Sequence, residues 1–143
     1  MSQVQDLVDR QAIADLVHAY ANGVREGAAA VCGAMFTEDG VFEVRERNVL
    51  DPASPRQLAR TEGRAAITEF IAGGITAPVR VCPLIHNLVI ALDGDGASAV
   101  CAMEGRTMPP GGDFIGEYED RFRRTAGGWA FSLRIFTLLR MPG

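Results

Sequence analysis

From Arg80 to Leu139 the chain runs as four long apolar-rich stretches separated by three glycine turns, "DGDG", "PPGG" and "TAGG". Tight glycine turns between alternating runs are the chemistry of consecutive β-hairpins, so strands are expected near Arg80–Leu92, Ala97–Thr107, Asp113–Arg124 and Trp129–Leu139. Everything before them reads differently. Ile13, Leu16, Val17, Tyr20 and Val24 recur at helical spacing, with Asp9 placed as a cap and Gly27 as a stop. Val4, Leu7 and Val8 fall on another side of that helical wheel, so residues 1–8 are expected to form a separate arm or short turn. Small residues in "AAAVCGAMF" predict a short second helix that "TEDG" breaks, and "RAAITEFIAGG" predicts a third with a Gly-Gly stop. Between them, "GVFEVRE" reads as a strand and "RNVLDPASPRQLARTEG" as a polar, proline-containing loop. Helices first and antiparallel strands afterwards indicate an α+β domain over residues 1–143, not βαβ winding.

The strand from Arg80 is apolar on both sides. In a regular strand Leu84, His86, Leu88, Ile90 and Leu92 share one face, and Ile85, Asn87, Val89 and Ala91 the other. A sheet with one face in water should alternate clearly. One face is therefore expected to meet the helices and the other a second copy of the chain, as a homodimer.

Charge narrows the partners. With 14 basic against 18 acidic residues the net charge is −4, the wrong sign for a phosphate-backbone binder. The acidic N-terminus does not resemble a secretory leader, and no apolar run reaches the roughly 20 residues that span a bilayer. The expectation is a cytoplasmic protein with no nucleic-acid or membrane partner. Cys32, Cys82 and Cys101 are few, far apart and set in apolar sequence, which predicts reduced thiols and not a disulfide framework or a zinc site. The acids of "GEYED" lack histidine or asparagine at ligand spacing, so no metal is expected, and "PPGG" and "DGDG" lack the context of a phosphate loop.

"DRQAIADLVHAY", "MFTEDGVFEV", "GRAAITEF", "HNLVIALDGDGA" and "GEYEDRFRRTAGGWAFSLR" together resemble the SnoaL-like branch of the nuclear transport factor 2-like superfamily, in order and at similar spacing over nearly the whole chain. The resemblance implies a cone-shaped, cystatin-like α+β barrel, with a curved sheet wrapped around the helices and an apolar pocket at one end. It also implies chemistry: cofactor-free acid–base catalysis on a small hydrophobic, often cyclic or carbonyl-containing molecule, as in polyketide cyclases, dehydratases and isomerases. Fold does not carry activity by itself. In the dehydratases an aspartate late in the first helix works with a histidine early in the strand after the third. Alignment puts Arg25 at the first position and Pro83 at the second, and neither side chain can exchange a proton at neutral pH.

Other residues then become candidates. His86 has the intrinsic pKa, near 6.5, of a general base; it reaches the Pro83 face only if a β-bulge intervenes, and otherwise belongs to the second apolar layer or an interface. Glu104 shares its strand face with Ser98, Val100, Ala102 and Arg106. It is an acid or base tuned by Arg106 and Arg25, or one half of an edge ion pair. Tyr20 and Tyr118 are hydrogen-bond donors to a carbonyl or packing aromatics, Tyr118 in phase with Phe114, Gly116, Asp120 and Phe122. Asn87 orients a ligand oxygen or satisfies backbone at a bulge. The candidate site is thus His86, Glu104 and Tyr20 as catalysts, with Arg25, Asn87, Arg106, Tyr118 and Phe42 binding the ligand. His18, opposite the apolar stripe, is expected in solvent. Three functions remain open: such an enzyme, a binding module that kept the pocket and lost the catalytic pair, or a structural subunit.

Overall fold

The computed structural model describes residues 2–53, 55–76 and 78–142. Met1 of the expected arm and Ser54 of the expected loop lie outside the described residues. Helix α1 spans Gln3–Glu26, α2 Ala29–Ala34 and α3 Arg64–Gly74. The strands are β1 Phe36–Asn48, β2 Arg56–Glu62, β3 Arg80–Asp93, β4 Gly96–Met108, β5 Phe114–Thr125 and β6 Gly128–Arg140. They form one sheet in the order β2-β1-β6-β5-β4-β3. The chain makes the β1–β2 hairpin, crosses through α3 to the far edge, and returns as the meander β3 to β6. That return lays β6 parallel to β1, so the sheet is mixed, where antiparallel pairing alone was expected. The later part of the expected polar loop is strand β2, which survives as an edge strand by pairing only with β1. Among the described residues no helix is long and apolar enough to cross a membrane.

Helix α1 begins earlier than its apolar stripe. Ser2, not Asp9, is the N-cap: its hydroxyl accepts the Gln5 backbone N–H at 3.0 Å. Residues 3–8 therefore continue the helix and form no separate arm, leaving Val4, Leu7 and Val8 exposed. The helix stops at Gly27, whose φ of 72° is left-handed. Asp9 is buried in mid-helix instead. Its carboxylate accepts from Arg124 Nη1 at 3.0 Å and Nη2 at 2.8 Å, from Trp129 Nε1 at 3.2 Å and from Gln5 Nε2 at 3.1 Å. This bidentate pair ties the start of α1 to the β5–β6 hairpin. Further along, Ile13, Val17 and Tyr20 enter the core. Gly33 of α2 sits where any Cβ would collide with Thr68 of α3, so the two helices approach closely. His18 is exposed, as its place on the wheel predicts.

The sheet curves around α1, and its inward residues form the core. Phe36, Phe131 and Phe122 pack in tilted pairs at centroid separations of 5.3 and 5.0 Å, joined by Ile13, Val17, Ile67 and Ala99. Fully burying an aliphatic or phenyl side chain contributes about 1.5–3 kcal/mol. The inward positions of β4 and β5 mix small residues with large ones. Gly105 and Gly116 are required there, because a Cβ at either would run into the Phe114 or Phe136 ring.

A bulge in β3 decides which residues face inward. His86 pairs with Ala102 and Val89 with Val100, three residues against two, and Asn87 takes up the excess at a φ of 57°. Inward packing runs through Ile85 before the bulge and Leu88, Ile90 and Leu92 after it. The expected face is thus split: Leu84 and His86 point outward, because the extra residue flips the alternation beyond them.

Asp9→Asn is expected to lower the urea midpoint at pH 7. The Arg124 hydrogen bonds, offset in part by desolvation, hold the Asp9 carboxyl at about 2 against the ordinary 3.8. Its stabilisation is complete above 3.8 and is lost as the pH falls through about 2. The gap between variant and wild-type unfolding curves should close across that window.

Candidate functional site

Two charged side chains stand in the inward phase of neighbouring strands. Asp120 of β5 and Arg134 of β6 are direct cross-strand partners, and neither side chain has any exposed surface. Arg134 Nε lies 3.1 Å from Asp120 Oδ1. The approach is off the hydrogen-bond direction, so both carboxylate oxygens and all three guanidinium nitrogens lack a hydrogen-bond partner within the protein. The guanidinium is held by aromatic faces instead. Its Cζ is 3.5 Å from the Tyr118 ring centre, 4.4 Å from that of Tyr20 and 4.5 Å from that of Phe131, close enough for cation–π attraction.

This environment sets the protonation states. Desolvation pushes Asp120 up to about 6 from 3.8, Arg134 offsets part of the rise, and Glu119 adds to it. Arg134 stays charged: burial works against its proton, but the Asp120 charge beside it favours the proton, and the balance holds it more tightly than usual. Desolvation also raises Tyr118 to about 12 and Tyr20 well above 10.0, which keeps both hydroxyls protonated as donors. Cys101, pushed by burial to about 11, and Cys32, raised for the same reason, are thiols and not thiolates. All three cysteines are free, with Cys82 half-buried. Chemically the cluster is one carboxylate that can exchange a proton near neutrality, one fixed cation and two neutral phenols.

A cavity of about 520 Å³, lined by Tyr20, Val24, Phe42, Glu69, Phe70 and Ile71, comes up to Tyr20 and stops short of Asp120 and Arg134. Phe42 and Phe70 meet edge to face at 5.7 Å. Tyr20 touches both the cavity and Arg134. A larger hollow, about 760 Å³, lies beside the β5–β6 turn. There Arg64 Nε donates to the Phe36 carbonyl, and Asp39 accepts from Thr37 and Arg123. We therefore place the candidate site at the buried pair. Among the described residues no cluster of histidine, cysteine and carboxylate side chains fits a metal.

The residues singled out from sequence divide into two groups and two outliers. Tyr20, Tyr118 and Phe42 come together inside, the two tyrosine rings 6.4 Å apart. His86, Glu104 and Arg106 come together on the outer face of the sheet. His86 Nε2 is 3.4 Å from Glu104, and Arg106 bridges Glu104 at 3.3 Å and Asp113 at 3.0 Å. The β3 bulge falls beyond His86 and so does not turn it inward. Arg25, half exposed, pairs with Glu26 at the end of α1, and Asn87 is the exposed bulge residue. Asp120 and Arg134 were not singled out, yet each leaves a trace. Asp120 alternates in phase with Tyr118 and Phe122, and Arg134 interrupts the apolar run "AFSLRIFTLL" in phase with Phe136.

The family model for the SnoaL-like domain matches residues 5–135, and the chain belongs to this family. Among solved structures it is similar to a protein of unknown function from Mycobacterium tuberculosis, at 23% identity and a TM-score of 0.76 over 94% of this chain and 79% of that one. An NTF2-like protein with a cystatin-like fold from Novosphingobium aromaticivorans gives 22% identity and 0.73 over 95% and 85%. A candidate scytalone dehydratase from the same organism gives 20% identity and 0.71 over 96% and 88%. These similarities establish the NTF2-like, cystatin-like fold. No curated protein matches the chain significantly.

Removing one member of a buried ion pair leaves the other charge uncompensated, at a cost of about 3–5 kcal/mol. Asp120→Leu and Arg134→Met are each expected to destabilise on that scale. The double variant should lose markedly less than the sum of the two, which a double-mutant cycle in urea measures.

Proposed function

We propose that the chain is an acid–base enzyme, needing no cofactor, that acts on a small hydrophobic, carbonyl-containing molecule held in the cone. The observation that carries this reading is Asp120, a buried carboxyl raised to about 6 beside a fixed guanidinium and two protonated tyrosines. Such a group is a base at neutral pH and a competent acid once it has taken a proton. In the reaction the Asp120 carboxylate removes a proton from the carbon beside the carbonyl. The C–H electron pair forms the enolate double bond, and the oxygen that gains charge is held by Arg134 and Tyr20. Returning the proton to another carbon gives an isomerase; expelling a β-hydroxyl as water with that proton gives a lyase. Membership of the SnoaL-like family and likeness to a candidate scytalone dehydratase support the class.

The outer face supports a homodimer. Leu84, Val89, Val100 and Ile115 are 46%, 63%, 52% and 58% exposed on neighbouring strands, and clustered exposed apolar side chains of this kind mark interaction surfaces. His86, Glu104 and Arg106 lie within it and would meet the second copy. A second reading, a non-catalytic small-molecule-binding homodimer, is favoured by one observation: both members of the pair are fully buried.

Turnover of cyclic enones and hydroxy-ketones separates the two. Asp120→Asn should lower kcat by about a hundredfold or more, while Glu104→Gln retains wild-type turnover. The logarithm of kcat/KM should rise with pH and level off above about 6, where Asp120 is ionised. No turnover from any member of the panel, with a ligand that still raises Tm, would leave the binding protein as the function. For the assembly, Val100→Asp is expected to halve the mass seen by sedimentation equilibrium; an unchanged mass removes the outer face as the interface.

A further inference from the structure

In the outward phase of β5 the charges run Glu117, Glu119, Arg121, Arg123: two acids followed by two bases, with the buried Asp120 at the midpoint. Glu117 pairs with Arg47 and Arg123 with Asp39 inside the chain. Glu119 and Arg121, both exposed, have no ion-pair partner among the described residues. The change of sign at the midpoint matters for self-association. Two copies of a sheet packed face to face about a two-fold axis make an isologous contact. An axis lying across β5 at residue 120 sets the two β5 strands antiparallel. Glu119 then faces the partner's Arg121, Arg121 the partner's Glu119, and Glu117 the partner's Arg123. A parallel crossing puts like charge on like.

Side-chain size makes the same choice. Val89, Val100, Glu119 and Ile135 form one cross-strand row, and Ala91, Ser98, Arg121 and Leu133 the next. The antiparallel crossing lays one row on the other, so that each valine meets a small residue, Ala91 or Ser98. A parallel crossing sets valine on valine and leaves a gap over the small residues, which forfeits contact. A shallow hollow of about 190 Å³, bordered by Ser98, Val100, Glu119 and Arg121, opens at this point. Facing sheets lie about 10 Å apart, a gap that a glutamate and an arginine reaching from opposite sides can close.

We propose that two copies of the chain join with their β5 strands crossed antiparallel at Asp120, and that the Glu119–Arg121 pair, made twice, fixes this orientation. The inference rests on the reading that the outer face is the homodimer interface; it adds the register and the charges that choose it.

Sedimentation equilibrium at low salt tests it with Glu119→Arg and Arg121→Glu. Each single substitution sets like charges together at both pairs, and self-association is expected to weaken about tenfold or more. An equimolar mixture of the two restores opposite charges and should recover the dimer mass. So should the double variant, Glu119→Arg with Arg121→Glu, by itself. An effect of net charge alone would move the single variants in opposite directions from the wild type at −4, and that result would overturn the pairing. Single variants that dimerise like the wild type would overturn it and leave the homodimer intact; so would a mixture and a double variant that stay monomeric. Both positions are exposed, so Tm should hold at the wild-type value. A variant that does not fold is replaced by Glu119→Lys or Arg121→Asp, which carry the same charges. A monomeric wild type would overturn this inference together with the outer-face homodimer.

Discussion

A guanidinium with no exposed surface has to be neutralised and held from within the cone, and much of the interior is arranged around that need. Arg134 and Asp120 face each other across β5 and β6 because the register of the two strands makes them partners. Slipping one of these strands by one residue would turn its charge to the outer face and leave the other buried without its partner. The tyrosine rings of α1 and β5 complete the enclosure, so the helix is fixed over the sheet by the cation as well as by apolar contact. A buried pair of this kind is a poor source of net stability, since desolvation consumes most of the attraction. What it supplies is a carboxyl that titrates near neutrality and a cation that stays charged.

Around the pair, backbone irregularities decide what faces where. The extra residue at Asn87 separates the outward His86 from the inward Leu88. A second irregularity opposes Arg121 and Phe122 to Leu133 and Phe131, so that Phe131 and Arg134 both turn inward although three positions apart. Between Phe36 and Val41, β1 advances five residues while β6 advances two. Each bulge adds local twist, and together they accompany the curvature that wraps the sheet over α1. Gly105 and Gly116 belong to the same economy, leaving the volume into which Phe114 and Phe136 lean.

The two faces of the sheet divide the chemistry. Inside, the Asp120–Arg134 pair is the charge with no exposed surface among the described residues, and the tyrosine and cysteine groups beside it are held neutral by desolvation. Outside, apolar residues of β3, β4 and β5 alternate with the His86, Glu104 and Arg106 cluster, whose members are partly solvated and offset one another. Exposed pairs of this type contribute little to stability. Family membership supplies the setting for an interior site, while the residues that fill this particular interior are the chain's own.

Local chemistry written in the sequence was enough for the elements. Helical spacing in "AIADLVHAY", the Gly27 stop and three glycine turns specified three helices and the final four-strand meander, because turn geometry and periodicity act over a few residues. The inward phase of β5, carrying Tyr118 and Asp120, was also legible from alternation. Three things were not. The start of α1 depended on Ser2 and on an Asp9 partner 115 residues away. The facing of His86 depended on a bulge whose position is set by pairing with β4. The site depended on Asp120 and Arg134 meeting across strands, which only the β5–β6 register brings about. Alternation marks which residues share a face. Which face becomes the interior, and which two charges find each other there, is decided when the sheet closes over the helix, because burial and cross-strand pairing are properties of the folded chain.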